Sequence, residues 1–150
     1  MISLVTLAHR ASSIHKRYAK IHAQVFSFSI SNLRLTFWQS AAPEYCQLES
    51  ELVQLRDELE VIRSIIANEE ELEPANTRSR EFAFALDVYA IALSDAIMWL
   101  SKICGCRCRD HKGIEQYSTK QDWADRHEYD NAIQQYRRLG ERLGHLFQRL

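Results

Sequence analysis

The sequence predicts an all-α protein, an up-down bundle of four long helices, with a five-helix variant left open and helix or hairpin open over residues 26–37. Three observations lead there. Four stretches repeat apolar residues at a 4-3-4-3 spacing, which places one apolar seam along each helix. Only four Gly and two Pro occur in 150 residues, too few turn signals for a fold of many short strands. A content of 46% apolar and 26% charged residues fills one core, so residues 1–150 read as a single helical domain.

The first helix is expected from Ile2 to about Ser29, with Ile14, Tyr18, Ile21, Val25 and Phe28 on one face. Around Ser31-Asn32 the apolar residues also alternate as in a β-hairpin. Helix is preferred there, because an isolated hairpin is marginal and no other segment supplies a strand. Ala41-Ala42-Pro43 breaks the pattern, and Pro43 suits the first turn of a second helix running to Ala67. That helix carries the clearest seam: Tyr45, Leu48, Leu52, Leu55, Leu59, Ile62 and Ile66. The acids Glu69-Glu70-Glu71 oppose its negative end, so Glu69 to Thr77 reads as a solvated loop.

Ser79 is the expected N-cap of the third helix, whose seam holds Phe82, Leu86, Tyr89, Leu93, Leu100 and Ile103. Interleaved alanines widen its apolar face, so it should be the most buried helix. Asp87 and Asp95 then need partners or a place at the rim. Gly105 to Gln121 reads as a long loop. The last helix is expected from Asp122 to Leu150, through Tyr129, Ile133, Tyr136, Leu143 and Phe147, with acids at its start and arginines at its end. Gly140 and Gly144 each cost about 1 kcal/mol against Ala, which implies a neighbouring backbone packed close to them. No cap follows Leu150, so the helix is expected to continue in a longer protein.

Charge is unevenly spread. Residues 1–43 contain Arg10, Lys16, Arg17, Lys20 and Arg34 and no acid, whereas residues 44–81 hold eleven acids against four bases. Packing the first helix on the second would cancel both fields; the other use of a basic face is contact with anionic lipid. Nucleic acid is not an expected partner, since no dense basic run or recognition motif is present. Met1 to Ala8 is too short for a signal segment, and Asp87 and Asp95 interrupt the greasiest window, Phe82 to Ile103. The expected location is therefore cytoplasmic, free or peripheral at the plasma membrane, with all four cysteines as thiols.

Cys104, Cys106, Cys108 and His111 form the one dense group of special residues. They offer three thiolates and an imidazole for zinc, but without the usual two-residue gap. They also sit past an apolar helix among Lys102, Arg107, Arg109 and Lys112, where acyl chains and bases act together on a membrane. A plain surface loop with free thiols is the preferred reading. His9, His15, His22, His111, His127 and His145 show no catalytic spacing, and His15 and His22, seven apart, read as one helix surface. No phosphate loop, nucleophile elbow or di-iron pattern occurs, so neither an enzyme nor a cofactor is expected. Trp38, Trp99 and Trp123 fall near helix ends, where they close a bundle more often than they anchor at a membrane.

The run from Ser40 to Leu59, SAAPEYCQLESELVQLRDEL, resembles the second-helix signature of fungal HeLo-like domains, which open many fungal STAND (NLR-like) receptors. The acidic break after it, the alanine-rich third helix ending at Cys104, and Trp123 ahead of a long arginine- and leucine-rich helix point the same way. Such domains are similar to the four-helix domain of the mixed-lineage kinase-domain-like pseudokinase. The resemblance implies a module of regulated cell death that self-associates or binds a protein partner, then acts on the plasma membrane. It implies Ile2, Leu4, Val5 and Leu7 as the inserting face and Arg10, Lys16, Arg17 and Lys20 as headgroup contacts. One departure stands out: polar residues begin here at His9, earlier than in the family's first helix. The alternative is an adaptor or regulator bundle that never touches lipid.

Overall fold

A computed structural model describes residues 1–35, 43–68, 72 and 76–150, with the side chains of residues 27–35 outside that description. Four helices follow one another: α1 Leu4–Leu35, α2 Tyr45–Ala67, α3 Thr77–His111 and α4 Thr119–Phe147. Among the described residues the only β-type pairing is an isolated parallel bridge between Ile2 and Leu72. The fold is an all-α four-helix bundle. Residues 26–35 have helical backbone, as preferred over the hairpin. Phe37, Trp38, Ala41-Ala42 and Glu69-Glu70-Glu71 lie outside the described residues.

Two helix starts are set by side chains that replace missing backbone acceptors. The Asn76 Oδ1 accepts from the Ser79 N–H at 2.9 Å and from the Ser79 hydroxyl at 3.0 Å. The cap of α3 is therefore Asn76, and Ser79, expected in that role, is the donor it satisfies. At α4 the Ser118 hydroxyl accepts from the Gln121 N–H at 3.1 Å, which starts the helix three residues before Asp122. The start of α2 has no side-chain cap, a weakness made good from α3 as described below.

Neighbouring helices run antiparallel, and α3 is the centre of the packing. Leu48, Leu52, Leu55, Leu59 and Ile62 of α2 meet Leu86, Leu93 and Leu100 of α3, with Ile133 and Tyr136 of α4 in the same core; all are buried. Tyr45 and Leu143 pack against its edge, partly exposed. By length and composition α3 is apolar enough to cross a membrane, and half of its most apolar window is buried inside the bundle. Its two acids are placed as their chemistry requires: Arg63 donates to Asp87 at 3.0 Å, and Asp95 reaches the exposed rim.

The expected loop after Cys104 is shorter than the sequence suggests. Residues Gly105 to His111 form the last two turns of α3, and the connection is Lys112 to Ser118, turned by Gly113 at φ +68°. Gly105 marks a crossing and not a break. A Cβ there would lie 2.8 Å from the carboxyl carbon of Glu49, so the missing side chain leaves room for the carboxylate that α2 lays across α3.

The glycines of α4 also differ from expectation. A Cβ at Gly140 would stand 3.1 Å from the Tyr89 ring, which is side chain and not backbone, and one at Gly144 would meet nothing within 4 Å. Gly144→Ala should therefore stabilise the protein by about 1 kcal/mol through helix propensity alone. Gly140→Ala should gain less, since the Tyr89 ring must shift; urea unfolding of both variants measures the difference.

Candidate functional surface on the first helix

The spacing of α1 gives it two chemically opposite faces. Leu7, Ala11, Ile14, Tyr18, Ile21 and Val25 are buried in the core, while Arg10, Lys16, Arg17 and Lys20 are exposed on the outside. Only Arg17 is neutralised from α2: its guanidinium donates to both oxygens of Glu58, at 2.7 and 3.0 Å. Among the described residues Arg10, Lys16 and Lys20 make no ion pair. Cancellation of the two helix fields is thus local. At the amino-terminal end Ile2 and Leu4 are partly buried against the core and Val5 is exposed. Leu7 is fully buried, so it does not belong to an outward face of the closed bundle.

The cysteine-histidine group is not one site. Residues 104, 106 and 108 lie on a helix, where 104 and 108 share a face and 106 points elsewhere. Cys108 is joined to Cys46 of α2 by a disulfide, with Cα atoms 5.1 Å apart, so the expectation of four free thiols is corrected. Cys104 is fully buried, and burial pushes its thiol pKa up to about 12. An acyl chain on Cys104 would have to leave the core. Cys106 is half-buried; burial raises its pKa while Arg109, which donates to Sγ at 3.5 Å, opposes the rise. His111 is exposed, its ring 5.7 Å from that of Tyr45. No group of three or more metal-binding side chains forms among the described residues, and the zinc set is dispersed.

Around the disulfide, Arg107 ties three elements, donating to Asp122 of α4 at 3.1 Å and to the Tyr45 hydroxyl of α2 at 3.4 Å. Close by, the buried Asp125 accepts from Lys102 at 3.0 Å and from the Tyr117 hydroxyl at 2.8 Å. These contacts fix the ends of α3 and α4 and satisfy every charge they bury. Trp99 packs on the core with Lys102 over its ring, whereas Trp123 is 70% exposed and stacked on His127.

The sequence left one feature unread. Among the described residues no Cα of α1 comes within 8 Å of α4, although α1 approaches α2 and α3 that closely. Large side chains bridge the gap instead. The Tyr18 and Tyr129 hydroxyls hydrogen-bond, His22 Nδ1 lies 2.7 Å from the Tyr129 oxygen, and the His15 and Tyr136 rings stand 5.7 Å apart. Farther along, His9 meets Phe147 edge-on at 6.1 Å. The seam is incompletely filled: a groove of about 330 Å³ opens between His9, Ser12 and His15 of α1 and Gly140, Gly144 and Phe147 of α4. Burial holds the Tyr18 and Tyr129 phenols protonated, and burial, followed by the charge of Arg137, lowers the pKa of both His15 and His22. Tyr129→Phe removes the hydroxyl shared by Tyr18 and His22 and should cost about 1–2 kcal/mol, measured by chemical denaturation.

The fold and this surface together define a helical bundle with a basic, amphipathic first helix. No known protein family matches the chain, and neither does any curated protein or solved structure.

Proposed function

We propose that this chain is a non-enzymatic helical signalling module that meets anionic membranes through α1, as the HeLo-like domains it resembles do. The supporting observation is the outer face of α1, where Arg10, Lys16 and Lys20 stand exposed without ion-pair partners among the described residues. A helix with bases on one face and Leu7, Ala11, Ile14, Ile21 and Val25 on the other suits the boundary between lipid headgroups and acyl chains. Ile2, Leu4 and Val5 extend its apolar end. In the closed bundle the bases make first contact, and the apolar face exchanges core for lipid only when α1 leaves. The cytoplasmic leaflet of the plasma membrane carries the matching negative charge. Self-association and a cell-death output follow from the resemblance.

Co-sedimentation with phosphatidylserine vesicles tests this reading. Each base near an anionic surface contributes about 1 kcal/mol, so Arg10→Glu, Lys16→Glu and Lys20→Glu together should weaken binding about 100-fold or more. Added salt should weaken the wild type. Equal binding by both proteins, or none by either, would remove the membrane from the account.

The adaptor reading draws on another part of the surface. Phe84 and Ile91 are exposed on the outer side of α3, at 67% and 40%, apolar positions suited to a protein partner. On that reading vesicle binding is absent and the α1 substitutions change nothing.

A further inference from the structure

The seam between α1 and α4 carries a regulatory consequence. Its two half-buried histidines lie one helical heptad apart on α1, and each is packed against an aromatic ring of α4. His15 faces Tyr18 on its own helix, Tyr136 and Arg137 on α4, and shares its groove with Tyr89 of α3. His22 faces Tyr18 and Phe26 on α1 and Tyr129, Asp130 and Arg137 on α4. For His22, Asp130 favours the proton; burial and Arg137 outweigh it. No α4 backbone stands close to α1 here, so these side chains are what joins the two helices.

We infer that the α1–α4 seam is an acid-sensitive latch: protonation of His15 and His22 places two new positive charges in a confined aromatic seam beside Arg137 and frees α1 from the bundle. The sign follows from linkage. Above the ordinary histidine value of 6.5 both imidazoles are neutral whether α1 is docked or free, and the latch is closed. As the pH falls below that value, free α1 takes up protons that docked α1 resists. Each such proton shifts the equilibrium toward release by at most about tenfold per pH unit, and two of them by at most about 100-fold. The dependence ends once the pH drops below the lowered values of the docked state.

This deepens the membrane reading by supplying a trigger, because the freed helix is the one with the basic face and the buried apolar stripe. Release itself needs no lipid, so it is tested separately. Hydrogen exchange of the full chain, read by mass spectrometry at pH 7.5 and 5.5 and corrected for intrinsic exchange rates, should show α1 losing protection relative to α2 and α3. In a variant carrying His15→Gln and His22→Gln the relative protection of α1 should be the same at both pH values. Should that variant fail to fold, Arg137→Gln, a change at an exposed position, should make the wild-type pH dependence shallower. An unchanged ratio of α1 to α3 protection in the wild type, an equal loss in all four helices, or an undiminished pH dependence in the variant that folds would overturn the latch.

Discussion

Replacing Cys46 and Cys108 together by Ser is expected to lower the unfolding free energy by about 3–4 kcal/mol, since the bond closes a loop spanning 62 residues of the unfolded chain. For a domain of this size that corresponds to a fall in Tm of about 10 °C. The effect has a local component as well. Helix α2 begins without a side-chain cap, and its first turn is held to the end of α3 by the disulfide and by Arg107 on Tyr45. Breaking the bond should therefore fray the start of α2 first. Thermal melts with and without dithiothreitol provide the check: reductant should destabilise the wild type to the level of the double variant and leave the variant unmoved. A variant that melts within 2 °C of the oxidised wild type would show that the clasp contributes little.

Leu93→Ala should cost about 2–5 kcal/mol, the range for a fully buried leucine whose neighbours close the resulting cavity only in part. Leu93 is 0% exposed at the middle of α3, the helix on which α2 and α4 both pack. Ile91, two residues away and 40% exposed, is the internal control, and Ile91→Ala should change stability by less than about 1 kcal/mol. Urea denaturation of the two variants compares them directly. Equal losses would mean that α3 is not the central element of the core.

Much of the helical architecture could be read from spacing alone, because Leu48, Leu52, Leu55, Leu59 and Ile62 repeat at the period that a buried helix face requires. The end of α3 was harder. Gly105 and a crowd of bases imitate a loop, yet Leu93, Ile97, Leu100, Cys104 and Cys108 continue the buried face at steps of three and four. Cysteine counted there as apolar in packing, and glycine as room for Glu49. The pairing of Cys108 with Cys46 could not be derived from local pattern, since the partner sits on another helix and four cysteines allow several pairings. Capping was misplaced for a similar reason: Asn76 and Ser79 are both good cap residues, and the hydrogen bond between them decides which accepts.

The α1–α4 seam left a trace that single-helix reasoning misses. His15 and His22 are seven apart, and so are Tyr129 and Tyr136; two antiparallel helices with matched heptad spacing bring such pairs into register. Reading each helix by itself assigns the histidines to a surface. Reading the two together places them in a shared interface, where their hydrogen-bonding and titration become coupled to whether the helices touch.

Helix α1 is the least firmly held of the bundle, joined to α4 only by side chains across a partly empty seam, while α3 packs closely along both α2 and α4. Native-state hydrogen exchange at neutral pH across a series of low urea concentrations tests it most directly. Amides of α1 between Leu7 and Val25 should open at a lower free energy than those of α3, and do so while α3 stays protected. Exchange of α1 and α3 at one common free energy, with both helices opening only when the whole chain unfolds, would contradict it.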